Sequence, residues 1–306
     1  MARDNAATDP AATNDVTLRL VAAYLAVTAV PVLRTSVNSG TGAIVACLHL
    51  LTLAGVLAMR RFGKQRTALA SWLPLVLLPA LYAEVPSLIA GVGSTLHDNR
   101  VQSWELGLFG VQPARSLASA LPNRAVSELL HAGYVAYYVV IYLPPLLLFM
   151  RGRRAELAAT VLAITTVWLA CLVAFVVFPV AGPRYVWPQP SGIPQGPVRS
   201  FALWLLERGS ARGTAFPSSH VAISVVQSLT ALRFQRSVGV VAAVTTAVMA
   251  TGAVYGGFHY AIDIAAGAGL GVLVYAAVFS NAAVALRASR WRRTESLTET
   301  RAQAPE

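Results

Sequence analysis

In "YGGFHYAIDIAAG" (255–267), an imidazole, His259, and a carboxylate, Asp263, stand one helical turn apart. On a helix such residues share a face. A carboxylate there accepts a hydrogen bond from one imidazole nitrogen, fixing the tautomer and leaving the other nitrogen free as base or nucleophile. Asp263 is embedded in an apolar run, where a charge costs about 2.5–3.5 kcal/mol on insertion scales, so it needs a partner. The plainer alternative is a self-neutralising polar bridge between helices.

A second stretch, "GTAFPSSHVAISVV" (213–226), sets Ser218, Ser219 and His220 against another apolar run. Pro217 fits the first helical position, where its missing N–H costs nothing. Ser218 and Ser219 then present free backbone N–H groups and hydroxyls at a positive helix end, a favourable site for an anion. His220 adds a proton donor. Taken singly, the serines read as helix caps and the histidine as an interfacial residue. Arg184, after "PVAGP", offers a planar fork to a phosphate, where the plainer role is contact with lipid headgroups.

These groups need elements that bring them together, and the composition says which. The chain has 306 residues, 56% hydrophobic and 12% charged. A soluble domain carries about a quarter charged residues, and uncharged runs of roughly 18 residues are long enough to cross a bilayer as helices. The expected fold is all-α, a polytopic membrane helix bundle of about eight spans near 16–34, 41–59, 67–91, 126–150, 155–178, 217–233, 236–255 and 259–284. The polar start, residues 1–15, lacks a compact basic segment and a small-residue cleavage site, so the first span reads as a retained helix. Residues 1–15 and 286–306 read as disordered tails, 16–66 as two additional N-terminal spans, and 67–285 as a core of six helices.

The net charge of +11 comes from 24 basic residues, all arginine except Lys64. They cluster in short loops (Arg60, Arg61, Lys64 and Arg66; Arg151, Arg153 and Arg154; Arg233 and Arg236) and in a tail with Arg287, Arg290, Arg292 and Arg293. Placing all of these in the cytoplasm satisfies the positive-inside bias with both termini inside. The expected location is therefore the cytoplasmic membrane, with no role in nucleic-acid binding. Cys47 and Cys171 lie mid-span without metal-ligand spacing and read as apolar filler.

Two long connections break the pattern of tight loops, and this topology puts both outside. Residues 92–125 interleave Trp104, Leu106, Leu108, Phe109 and Val111 with polar groups, as suits a helix lying in the interface. Residues 179–216 are proline-rich and run into the Ser–Ser–His stretch, and a loop of that length tends to be functional. His259, His220 and Arg184 then share one layer at the outer ends of their spans.

"FPSSH" (216–220), a later His-x-x-x-Asp and "FPVAGPR" (178–184) together resemble the type 2 phosphatidic-acid phosphatase superfamily. Within it, the chain is similar to the branch containing inositol phosphorylceramide synthases and their bacterial relatives. The resemblance covers about residues 67–285. That branch usually has Pro where Gly182 stands, and the broader superfamily has Arg where Ala253 stands and a Lys-rich start to its first motif. The resemblance implies that His259 attacks phosphorus and forms a phosphohistidine, oriented by Asp263. His220 would protonate the leaving group and then act as base toward the acceptor. Arg184, the Ser218 hydroxyl and the Ser219 N–H would hold the non-bridging oxygens. No metal or other cofactor is implied. The substrate would be a membrane lipid or lipid phosphate at the extracytoplasmic face, and the acceptor water or a hydroxyl, with phosphoinositol as one group that could be transferred.

Several residues are secondary candidates. Glu84, a carboxylate near the outer end of the third span, would pair with Arg184 or another loop arginine, or bind a polyol headgroup, or else serve helix packing. Arg212 would assist phosphate binding. Tyr134, Tyr137 and Tyr138 read first as interfacial anchors, with Tyr138 a candidate for headgroup contact, and His131 as structural. His49 and His97 carry no functional signal. Two other classes compete with the enzyme. A transporter relaying protons through His and Asp would require an inverted repeat with interrupted helices, and no such symmetry is visible. A hydrolase using His220, His259 and Asp263 as metal ligands would require bound zinc. Oligomeric state is not encoded in any of these features.

Overall fold

The computed structural model describes residues 9–36, 40–64, 67–188 and 193–280. The expected disorder of residues 1–8 and 286–306, and the tail arginines, lie outside these residues. Among the described residues there are fourteen helices and no strand. The chain is an all-α bundle, as its apolar runs require.

The N-terminal hairpin is α1 (Pro10–Ser36) and α2 (Gly40–Arg61). A bent pair follows, α3 (Ala68–Ala83) and α4 (Val85–Val92), then two helices of the first long connection, α5 (Asp98–Phe109) and α6 (Pro113–Ala120). A second bent pair is α7 (Arg124–Val135) and α8 (Tyr137–Met150), followed by the long α9 (Arg154–Val177). The second connection holds α10 (Pro183–Val186) and α11 (Pro197–Gly209). The chain then runs through α12 (Ser219–Phe234), α13 (Arg236–Tyr255) and α14 (Ala261–Phe279).

Five of these helices are long and apolar enough to cross a membrane, and the count reaches seven if each bent pair is one span. The remaining expected span, 217–233, is α12, which at 16 residues falls short of that length. Two boundaries move. Residues 10–15 are helical rather than tail, and α1 begins at Pro10. The third span is broken at Glu84, where α3 and α4 meet at 53°. Pro86 has no N–H to donate to Tyr82 O, and that carbonyl takes the Glu84 N–H instead.

α9 is the central post. Leu157, Ile164, Val167, Leu172 and Phe175 are fully buried along it, and it packs against α1, α3, α4, α8, α12 and α14. A helix apolar on every side belongs at the centre of a bundle. At one end the basic loops meet each other: Arg153 Nη1 donates to Phe234 O at 2.6 Å and Arg151 Nη1 to Gln235 Oε1 at 3.1 Å. The two long connections gather at the opposite end.

Candidate active site

The start of α12 and the start of α14 come into backbone contact there. Ser218 N–H donates to Asp263 O at 2.9 Å. Such an approach needs a residue without a side chain, because a Cβ on Gly267 would lie 2.4 Å from Ser218 O. This contact alters two expectations. Pro217 does not open the helix, since Ser218 is the N-cap with extended backbone and α12 starts at Ser219. The Ser218 N–H is also spent on α14, leaving the following N–H groups as the unpaired donors of the first turn.

His259 is not on the helix of Asp263 but in the loop before it, for α14 begins at Ala261 with Tyr260 as N-cap. Its Nδ1 lies 3.0 Å from Ala215 O and 3.4 Å from Asp263 Oδ2. Both neighbours are acceptors, so the proton belongs on Nδ1 and Nε2 carries the lone pair. Nε2 lies 3.4 Å from Ser218 Oγ. Asp263 Oδ2 also accepts the Tyr260 N–H at 2.9 Å, which fixes the carboxylate against its own helix start. The pairing inferred from helical spacing is thus delivered by a turn and a cap.

His220, in the first turn of α12, faces His259 with ring centroids 6.2 Å apart. Tyr134 stacks on His220 at 5.3 Å and Tyr137 packs at 4.4 Å. Both tyrosines are buried, so they form the wall that holds the imidazole rather than interfacial anchors. Beyond them opens a cavity of about 640 Å³, lined by both histidines, Tyr82, Tyr138, Arg184, Arg208 and Arg212, with Leu78, Pro86, Ile141 and Leu206 on its apolar side. Arg184 donates from Nη1 to Ser210 Oγ at 2.9 Å. Arg208, not singled out in the sequence, shares this wall.

Glu84 lies elsewhere. Its Oε2 is 2.8 Å from His49 Nδ1, and His49 Nε2 is 2.8 Å from Leu25 O. Glu84 therefore ties α2 to the α3–α4 break instead of pairing with Arg184. His131 is structural in its contacts, with Nδ1 2.7 Å from Ser127 O and its ring against Tyr255 and Phe258.

The scaffold behind the site comes from α5, which contributed no candidate from sequence. Asp98 accepts from Ala181 N–H and Gly182 N–H at 2.9 Å each and from Tyr260 O–H at 3.1 Å. Glu105 Oε1 accepts from Ala261 N–H. Burial raises the Glu105 carboxyl from 4.5 to about 7, with the Asp263 charge adding to the effect against the Ala261 hydrogen bond. Val180 N–H donates to Gly213 O and Ala215 N–H to Val180 O, stitching the loop before Arg184 to the one before Ser218. Gly182 has φ +93°, which a proline ring fixed near −65° cannot adopt. A glycine at this position thus suits the loop's conformation.

Among the described residues no group of three or more His, Cys, Asp and Glu side chains is arranged to hold a metal ion.

Fold and site define an integral-membrane protein with two facing histidines and three arginines lining one cavity at one end of its bundle. A family model described as the PAP2 superfamily matches residues 101–277, more than half of the chain, and the chain belongs to that superfamily. Membership supports a membrane lipid-phosphatase type of function and a lipid-phosphate substrate. Comparison with curated proteins and with solved structures returns no match.

Proposed function

We propose that the protein cleaves a phosphoester of a membrane lipid at the extracytoplasmic face through a covalent intermediate on His259. The observation that carries this reading is the pair of imidazoles 6.2 Å apart across one cavity, with Arg184 in its lining. Reacting atoms approach within about 3–3.5 Å, so one phosphorus fits between the rings.

His259 Nε2 attacks phosphorus and the P–O bond to the leaving group breaks as the P–N bond forms. His220 gives that leaving oxygen its proton. In the second step neutral His220 takes a proton from the acceptor, whose oxygen displaces His259 and regenerates the enzyme. Asp263 and Ala215 O hold the Nδ1 proton throughout. Arg184, the Ser218 hydroxyl and the free N–H of Ser219 receive the non-bridging oxygens as charge redistributes, with Arg212 assisting from the cavity wall and Tyr138 meeting the headgroup. The chain's own residues supply every proton and every positive group in this scheme, so turnover needs no added metal. Water as acceptor gives hydrolysis; a lipid or polyol hydroxyl gives transfer of phosphate or of a phospho-headgroup such as phosphoinositol. The basic loops at the opposite end support an outward-facing site under the positive-inside bias.

One observation favours a second reading. Ser218 Oγ, His259 Nε2 and Asp263 stand in the order of a serine–histidine–aspartate relay, in which Ser218 would attack and His259 would act as base.

The test is turnover of purified protein on a panel of lipid phosphates with a chelator present, following phosphate release against headgroup transfer. The proposal expects turnover, inhibition by orthovanadate and complete loss in His259→Ala. Full activity in that variant overturns it.

A further inference from the structure

The first turn of α14 is held by two carboxylates. Asp263 caps it from within through the Tyr260 N–H, and Glu105 reaches it from α5 through the Ala261 N–H, with the Ile262 N–H beside it. Each carboxylate has one oxygen engaged in this way. The other oxygens, Glu105 Oε2 and Asp263 Oδ1, are both buried without a hydrogen-bond partner. Both residues are 0% exposed. Two buried carboxylates at one helix end, each with a bare oxygen, do not both stay ionised, and one proton taken up by the pair relieves the repulsion.

We infer that Glu105 is a positioning residue for the reaction: it carries the proton of this pair and so keeps Asp263 ionised and aimed at His259. The inference rests on the reading of His259 as nucleophile. The ionisable groups around Glu105 are Asp263 and Tyr260 from the start of α14 and Asp98 from its own helix; His259 faces Asp263 from the preceding loop. Among the described residues no arginine or lysine forms an ion pair with Glu105. Burial already lifts this carboxyl to about 7, the direction such a role requires. Ionisation of Glu105 places a second charge beside Asp263, so kcat falls as pH rises through that range.

Glutamine keeps an acceptor for Ala261 N–H and stays uncharged at every pH, whereas alanine removes the acceptor. In Glu105→Gln, kcat at pH 6 is expected within about threefold of the native enzyme, and the loss of kcat on raising pH through 7 disappears. In Glu105→Ala, kcat falls by about a hundredfold while KM moves little. Histidine-selective ¹⁵N labelling reads the same point without turnover: the His259 imidazole titrates as in the native protein in Glu105→Gln and is displaced in Glu105→Ala. If Glu105→Ala does not fold, the alkaline limb and the His259 titration of Glu105→Gln decide the matter. The inference is overturned if Glu105→Ala matches the native enzyme, if Glu105→Gln loses as much as Glu105→Ala, or if its alkaline limb persists. Should the native protein turn over no lipid phosphate, the functional reading fails, and the His259 titration still tests Glu105.

Discussion

Replacing Asp98 by asparagine tests whether α5 builds the site or merely covers it. The carboxylate is buried and accepts three hydrogen bonds, two from the backbone ahead of Arg184 and one from the tyrosine that caps α14. An amide retains one accepting oxygen and turns an NH₂ toward a backbone N–H. At least one hydrogen bond to a charged acceptor is lost, worth about 1.5–3 kcal/mol, and a buried donor is left unsatisfied, so Asp98→Asn is expected to cost about 2–4 kcal/mol. The functional effect follows the same path. Gly182 stands two residues before Arg184, so the guanidinium shifts with the loop and kcat/KM falls by about tenfold to a hundredfold. Unfolding in mixed micelles gives the stability, and initial rates on a lipid phosphate give kcat/KM. The exposed neighbour Asn99, changed to alanine, serves as control and is expected within about 0.5 kcal/mol of the native protein. If Asp98→Asn is as stable and as active as that control, the strap from α5 does not hold the site.

Three further outcomes follow from other contacts. Gly267→Ala places a Cβ 2.4 Å from Ser218 O, and forcing α14 away from α12 is expected to cost about 1–3 kcal/mol and to lower kcat by moving His259 relative to His220. His49→Ala strips the buried partner from Glu84 and is expected to destabilise by about 3–5 kcal/mol, while the folded fraction keeps its activity because neither residue lines the cavity. Glu105 binds its proton more tightly folded than unfolded, so its contribution to stability is full below 4.5 and lost as pH rises through about 7. Unfolding measured across that window is expected to show the loss in the native protein and not in Glu105→Gln.

What the sequence made legible was local. Uncharged runs announced the helices, and His220, His259, Asp263 and Arg184 stood out because polar groups at the ends of apolar segments need a reason. Their gathering at one end of the bundle was inferred from topology, and the rings of His220 and His259 do face each other. The finer geometry was not legible. Spacing put His259 and Asp263 on one helix, whereas Tyr260 starts α14 after the histidine and the pair meets through a cap. Asp98 and Glu105 sat in a stretch whose aromatic residues suggested an interfacial helix. Their partners, Ala181, Gly182, Tyr260 and Ala261, are far along the chain, and no short-range pattern encodes such bonds. Tyr134 and Tyr137 read as membrane anchors because a tyrosine near an interface usually is one; only packing reveals that they wall in His220. Likewise His49 carried no signal, since its partner Glu84 lies on another helix and Leu25 offers only a backbone carbonyl.

The central claim is that His259 Nε2 forms the bond to phosphorus. It is tested most directly by quenching the enzyme during turnover of a lipid phosphate labelled at phosphorus and mapping the labelled residue by mass spectrometry. The account predicts an acid-labile, alkali-stable phosphoryl group on His259, absent in His259→Ala and accumulating in His220→Ala with a substrate whose leaving group needs no proton. A label on Ser218, or steady turnover with His259 unlabelled at every quench time, would contradict it.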